Sequence, residues 1–577
     1  MKRMSQYTPM LGVLALCLFN PWGMVALPDV GLAFLALLAG TVLVVAVRRG
    51  AIFVDQTMAL LGLAALAGCI SALFSDAPLL GLFGGWTRSS GTLTIVIWLV
   101  ALTAGLQLAG GETLRDRQLT LLGRASAVFA ILVILGRLGV PIVPSPESSR
   151  ASGPLGSSAF SGALLTLMTP IGVMRLFAQN ARLRYEGVVS LALTVAALAA
   201  CGARASWLGA LLGGLISLSI VFKQKRAANT SLVDLRRFVL GLVVVLLVGA
   251  SALFAFGTAG RVTTTTETNG TAAGRVVLWG TGLRAVVHDP IFGVGFDQQE
   301  SALAENLPSD FERRFDDSVI PDRAHNWILD LWLGGGLVTV IAMVGALVVA
   351  LRRAQRDPLG IAVLAGVIGY LAQAQFNFSL PGVEALMWLL LGVAASPHRR
   401  SVKLAIQPVI PTAIVGLMVA VPFVFNIAAD TQLERGRRSE QSGDLVHARE
   451  LFQSASSLAS WQPTLEEVVA RFGMRIGDND LAQSASVAAS SRSGGQLRWR
   501  ELQGEALLAS GEFADAREWY QSLIEESPND SSLFVGLGRA QLGLVDTSWA
   551  LVAFNTALQI NPNSENAQAG LAQIPKP

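Results

Sequence analysis

Apolar runs of roughly 17 residues or more, with few charges, recur along the first three quarters of the 577-residue chain. Each is long enough to cross a bilayer as a helix. Hydropathy predicts about thirteen spans, near residues 9–27, 29–47, 56–75, 91–108, 119–140, 158–177, 186–202, 204–222, 237–256, 327–350, 358–376, 382–396 and 408–428. One long polar stretch, residues 257–326, interrupts them. Connections between helices are mostly short, so a loop of that length needs a functional reason. After Phe425 the pattern turns soluble and helical. There Gly443, Gly477 and Gly511 share one phase, Ala448, Ala482, Ala516 and Ala550 a second, and Phe452, Tyr520 and Phe554 a third. Pro528 and Pro562 lie 34 residues apart. This is the tetratricopeptide period, in which small residues let paired helices approach and a proline closes each unit. Ser486 stands where the second unit should carry its aromatic, so that repeat is degenerate.

The expected fold is therefore all-α: a polytopic membrane helical bundle followed by a soluble tetratricopeptide α-solenoid. Its divisions are an N-terminal bundle (1–256), a polar loop (257–326), further transmembrane helices (327–428) and the repeat domain (431–577). Such arrays bind partners on a concave face, with a purely structural cap as the alternative.

Composition agrees with the membrane reading. The chain is 52% hydrophobic and 14% charged, against roughly 25% charged in soluble domains. A net charge of +3 gives no reason to invoke nucleic acid. Cys17, Cys69 and Cys201 lie far apart inside apolar runs and read as small buried hydrophobes. Lys2 and Arg3 precede no small-residue cleavage site, so the first helix reads as retained. Arg48, Arg49, Arg115, Arg352, Arg353, Arg400 and Lys403, with other basic residues, fall on one set of loops. Far fewer fall on the other set. The basic side is expected to be cytoplasmic, with the N-terminus inside and the 257–326 loop and the repeats outside the cytoplasmic membrane.

That sidedness gathers polar residues at the outer ends of the spans: Arg88, Arg150, Arg204, Asp330, Gln373, Gln375, Asn377 and Glu384. Taken singly, each has a plain reading as an interfacial cap or snorkelling side chain. In the loop, Arg275 and Trp279 share a helical face that Thr271 or Asn269 would cap. Arg284 points the opposite way, with His288 on its face. Guanidinium groups suit a diphosphate, whereas a short helix lying at the interface is the structural alternative. Gly293 and Gly295 mark a tight turn. His325 sits where the loop re-enters the membrane, between Arg323 and Asn326, and imidazole can take a proton from a hydroxyl near neutral pH. No metal-binding motif occurs in the outer segments.

These residues resemble the core of the bacterial O-antigen ligase and polymerase superfamily, which includes the O-linked protein oligosaccharyltransferases. The resemblance lies in Arg275 with Trp279, in Pro290 with Gly293 and Gly295, and in Ala324-His325-Asn326. Upstream, GARASW with Arg204 resembles the family's serine-arginine element, with alanine replacing the serine. GGWTRSSG with Arg88 resembles a further arginine element, and the segment after Arg150 matches only partly, since its asparagines are absent. The resemblance covers roughly residues 60–396. It implies a C-type glycosyltransferase fold, a polyprenyl-diphosphate-linked glycan as donor, and transfer to a glycan, lipid or protein acceptor without metal or cofactor. It implies His325 as the group activating the acceptor hydroxyl. Arg204 and Arg275 would hold the diphosphate, Arg284 is a weaker candidate for that role, and Arg88, Arg150 and Asn326 are further contacts. Polymerase and protein oligosaccharyltransferase activity are alternatives within the superfamily. A transporter of lipid-linked sugars and a membrane scaffold whose repeats recruit partners are alternatives outside it.

Overall fold

The computed structural model describes residues 2–18, 27–86, 88–140, 150–227, 271–315, 321–395 and 400–574. Seven helices among them are long and apolar enough to cross a membrane: Asp29–Val47, Gln56–Phe74, Glu112–Arg137, Ala181–Cys201, Arg204–Gln224, Trp327–Arg353 and Val409–Gln441. Thr92–Leu108, Pro358–Ala374 and Pro381–Ala394 are shorter apolar helices, and Lys2–Ala15 and Ser158–Arg175 complete the bundle. The span expected at 237–256 lies outside the described residues. Of the span expected at 9–27, residues 9–15 lie on the helix Lys2–Ala15 and 19–26 lie outside the described residues; each remaining expected span falls on a helix.

The long helices are apolar all round because both of their faces meet hydrocarbon, protein on one side and lipid on the other. Leu63, Leu66, Leu73, Leu208, Leu211 and Leu215 point outward, while Leu61, Ala64, Ala67 and Ala210 pack inward. Pro381–Ala394 is different. At 14 residues it rises only about 21 Å, too little for a bilayer core. It is buried almost throughout, packed against Thr92–Leu108, and Trp98 Nε1 donates to the Pro381 carbonyl at 3.1 Å. Lipid cannot drive such helices together, so close backbone approach does. A Cβ at Gly209 would stand 2.4 Å from the Gly369 carbonyl oxygen, and one at Gly105 2.2 Å from that of Leu389.

The bundle has two chemically distinct ends. At one, Ala51–Val54 pairs antiparallel with Arg400–Lys403, the only two-stranded sheet among the described residues and an addition to the all-α expectation. Arg115 and Asp357 form a two-pronged ion pair there, and Arg353 meets Asp55 at 3.2 Å. The other end carries Arg88, Arg150, Arg204 and the loop residues 288–298 and 321–326.

Val409–Gln441 runs unbroken from the bundle into the repeats. Helix pairs then follow in order: Leu445–Leu458, Pro463–Ile476, Asn479–Arg492, Leu497–Ser510, Phe513–Glu526, Ser531–Gly543, Thr547–Ile560 and Glu565–Ala572. The periodic alanines and aromatics are buried. Each aromatic lies on a glycine of a neighbouring helix: Phe452 on Gly436, Tyr520 on Gly504, Phe554 on Gly538. At the same register in the degenerate unit, small Ser486 goes with Ala470, so lost ring volume is matched by a larger neighbour.

Gly443, Gly477 and Gly511 all take left-handed φ at the turns, and no atom approaches the place of a Cβ at any of them. Val545 occupies the equivalent turn of the next unit with φ 63°. A β-branched residue there is strained by about 1–2 kcal/mol. Its side chain is 82% exposed, so little packing offsets the strain. Val545→Gly should stabilise the last repeat by about 0.5–1 kcal/mol, read as slower amide exchange across Thr547–Ile560 in the full chain. Faster exchange would show that the valine is compensated.

Candidate functional site

The site is built on a broken helix. Trp327–Arg353 loses its helical course at Gly336 (φ 73°, ψ 177°), where Gly334, Gly335 and Gly336 stand in a row. A break frees backbone groups that must find partners, above all at membrane depth. The loop after His288 supplies them. Val294 N donates to the Leu333 carbonyl at 2.8 Å and Gly295 N to that of Gly334 at 3.1 Å, while Leu337 N donates to the Pro290 carbonyl at 2.9 Å. Trp332 Nε1 also reaches the Pro290 carbonyl (2.9 Å), and Ser71 Oγ the Gly334 carbonyl (2.7 Å). Any Cβ at Gly336 would lie 2.0 Å from the Ile291 carbonyl oxygen. Gly293 and Gly295 turn with left-handed φ, as the sequence predicts, and their turn is seated in the break.

From this seat the loop continues to Asp297, a non-glycine residue at φ 58°. Its carboxylate accepts from Gly85 N (2.7 Å) and Ser90 N (3.1 Å) and forms an ion pair with Arg323, both side chains being nearly fully buried. Gln298 accepts from Ala77 N at 2.9 Å and donates to Ser75 Oγ at 2.8 Å. Residues 75–90 are thereby fixed, and they present Arg88. Arg88 pairs with Asp322 at 2.5 Å and lies 4.1 Å over the Phe378 ring. Its Nη1 is buried without a partner among the described residues.

His325 sits in the middle of this set at φ 52°. Trp279 Nε1 donates to its carbonyl at 3.4 Å, and its ring meets Phe378 edge-on at 5.5 Å. Burial pulls the imidazole down to about 4. Asp322 opposes that shift, and Arg88, Arg275 and Arg323 add to it. The ring is therefore neutral at pH 7 and able to accept a proton. Burial likewise lowers Arg323, to about 9, and lowers Arg275, the latter with Arg204 as its second cause. Arg204 and Arg275 thus face one another electrostatically. The Arg150 segment joins this side, since Ala151 N donates to the Ala200 carbonyl (3.0 Å), four residues before Arg204.

Two expected contacts go elsewhere. Arg284 is exposed and donates to the Asn306 carbonyl (2.8 Å) and Thr281 Oγ1 (3.2 Å), on the face opposite Arg275. Asn326 caps the re-entrant helix through Ile328 N and Leu329 N, both 3.1 Å, and donates to the Gln375 carbonyl. Sequence pattern alone gives no reason to single out Asp297, Asp322 or Phe378, although Asp297 follows the Gly293 and Gly295 turn and Asp322 adjoins Arg323. The side chain of Thr271 and the whole of Asn269, proposed as caps, lie outside the described residues.

This geometry can hold an anion with several guanidinium groups beside a neutral base. Residues 189–344 match the family model described as O-Antigen ligase. Over those residues the chain is similar to the O-antigen ligase domain. The stretch contains Arg204, Arg275, the seated loop and His325, whereas Arg88, Arg150 and the repeats lie beyond the matched residues. No curated protein matches the chain. Similar solved structures include YrrB, a tetratricopeptide protein with an unusual peptide-binding site, at 17% identity over 28% of this chain and 86% of that one (TM-score 0.22). The Cut9–Hcn1 hetero-tetramer of APC/C is 13% identical over 83% and 76% (TM-score 0.23).

Gly336→Ala should unseat the loop, since the added carbon collides with backbone and not with a side chain that can turn away. The expected result is loss of the protein's activity together with faster proteolysis of the 288–298 loop. Gly214→Ala, in an open position of another helix, should change neither. A protected loop in Gly336→Ala would show that the break tolerates a side chain.

Proposed function

We propose that this protein is a glycosyltransferase of the cytoplasmic membrane, working at its outer face with the N-terminus inside and the repeats outside. It moves a glycan from a polyprenyl-diphosphate carrier to an acceptor hydroxyl. The observation that carries the reading is His325, neutral and half-enclosed by Arg88, Arg275 and Arg323, in an O-antigen ligase domain.

The acceptor oxygen attacks the anomeric carbon, the bond from that carbon to the diphosphate oxygen breaks, and the diphosphate leaves with the electron pair. The hydroxyl proton passes to His325. Negative charge grows on the leaving oxygen, where fixed guanidinium groups stabilise it without reorganising. Arg204 and Arg275 are the diphosphate clamp, with Arg88 and its unpartnered Nη1 beside them and Arg150 at the rim. An apolar crevice lined by Leu16, Leu155, Phe160, Phe378 and Leu380 adjoins Arg88. The scheme is metal-free, its positive charge being supplied by arginines alone. The helix break resembles those of transporters. Here the protein's own loop fills it, which favours the enzyme.

Transfer from a lipid-diphosphate donor by the purified protein tests this. His325→Ala should reduce the rate about 10²- to 10⁴-fold with donor binding intact. Arg275→Lys and Arg204→Lys keep charge but lose the two-pronged fork, so both donor binding and turnover should fall. EDTA should have no effect. Near-normal transfer by His325→Ala removes the histidine from the mechanism, and inhibition by EDTA removes the metal-free scheme.

The pH profile supplies a separate test. With the free enzyme's His325 at about 4, kcat/KM should stay level from pH 8 down to about 5 and fall below that. The kcat profile reports the donor complex. A bound diphosphate offsets the arginines that depress the imidazole, so the acid limb of kcat should lie at higher pH than that of kcat/KM. The reverse order contradicts a base set among these arginines.

A further inference from the structure

The seam between the repeats and the loops at the arginine end encloses a polar cavity of about 190 Å³. One water needs only roughly 10–15 Å³, so the space is made for something larger. Its walls come from three parts of the chain: Asp76 beyond the Gln56–Phe74 helix, Asp289 with Ser301 and Glu305 from the polar loop, and Gln496 from the repeats. Gln496 is 8% exposed. Its Oε1 accepts from Trp499 Nε1 at 3.3 Å, but its Nε2 has no partner among the described residues. Nε2 itself does not face the open space, but a buried amide N–H without an acceptor is costly, so a turn of this side chain toward an acceptor in the cavity is favoured.

Charge narrows what that acceptor can be. No lysine or arginine lines the cavity, and the three carboxylates of Asp76, Asp289 and Glu305 stand against the single imidazole of His288, so a phosphate or carboxylate is disfavoured. The carboxylates are not grouped so as to hold a metal ion either. What fits is a neutral group that donates O–H to carboxylates and accepts N–H from an amide. Sugar hydroxyls do both. We propose that this cavity binds one sugar residue of the glycan substrate, between the carboxylates of the polar loop and the Gln496 amide of the repeats. The proposal rests on the glycan-transfer reading for the identity of its ligand. Asp289, in the cavity wall, and Asp297, at the arginine site, are eight residues apart on one loop. At roughly 3.3 Å per residue, the chain bounds their separation at about 26 Å. The repeats thereby contribute a side chain to substrate recognition as well as a surface for partners.

Binding of the full chain, in nanodiscs, to an array of immobilised bacterial oligosaccharides tests this without any transfer step. The wild type should bind a subset of the array. Gln496→Ala and the isosteric Glu305→Gln should each weaken that binding about tenfold, the latter with its melting temperature unchanged, and Ser301→Phe, which fills the cavity, should abolish it. If Ser301→Phe lowers the melting temperature, the two smaller variants decide the matter. Absence of binding by the wild type, or binding undiminished in Gln496→Ala and Glu305→Gln, overturns the sugar site. So does displacement of the bound glycan by inorganic phosphate or by magnesium at millimolar concentration. A chain that binds glycans here yet transfers none counts against the reaction proposed above and leaves this site standing.

Discussion

The buried pair of Arg323 and Asp297 is the contact on which the arginine end of the molecule depends. Two opposite charges taken out of water are tolerable only when paired and further hydrogen-bonded, and removing one partner typically costs about 3–5 kcal/mol. Asp297 satisfies its remaining oxygen capacity with the amides of Gly85 and Ser90, which ties the Arg88 loop to the pair. Arg323 is two residues from His325, so the pair also fixes where the re-entrant helix begins. Three segments distant in sequence are held by one charge contact, and each carries a member of the proposed site.

The repeat array is bound to the same construction. Phe83 and Trp461 rings meet at 5.0 Å, Trp86 is buried among repeat residues, and Gln462 Nε2 donates to the Gly84 carbonyl at 3.0 Å. Glu312 caps the Ser531–Gly543 helix through Ser531 N, and Arg313 reaches the Gln559 carbonyl at 2.6 Å. Glu300 lies between the two parts, its carboxyl raised by burial, with Arg498 of the repeats opposing the shift and Asp322 adding to it. The loop that presents Arg88 is therefore gripped from both sides, by Asp297 below and by Trp461 and Gln462 above. Removing the repeats would expose Trp86 and Phe83 and loosen that loop, so the array supports the site.

Much of this was legible in the sequence. Uniformly apolar helices announce themselves because the same residues face lipid and protein, and the 34-residue period because each unit repeats one turn and one aromatic-on-glycine contact. Arg275 and Arg284 diverge as a 3.6-residue helix requires. Other features were not legible, for identifiable reasons. Gly334, Gly335 and Gly336 sit in an otherwise apolar run, and hydropathy cannot distinguish a helix from a helix broken and refilled by a loop from elsewhere. The pairing of Ala51–Val54 with Arg400–Lys403 joins strands too short, and too far apart in sequence, for local pattern to reveal. Asp297 and Asp322 gain their importance only from partners that the fold brings to them.

Strain closes the argument. Apart from Val545 in its repeat turn, the described non-glycine residues with left-handed φ are Ser89, Asp297 and His325. All three lie at the site, on the three segments that the Arg323–Asp297 pair unites. Such conformations cost of order 1–3 kcal/mol each and persist only where the surroundings over-determine them. Here the surroundings do. Ser89 Oγ is held by buried Asp29, Asp297 by two amides and an arginine, and His325 by Trp279 on its carbonyl and by the cap that Asn326 places on the next turn. A relaxed backbone would leave the imidazole free to choose among rotamers facing lipid, loop or arginines. The strained one, locked from both sides, keeps a neutral imidazole against the guanidinium groups, which is the arrangement the proposed role as base requires.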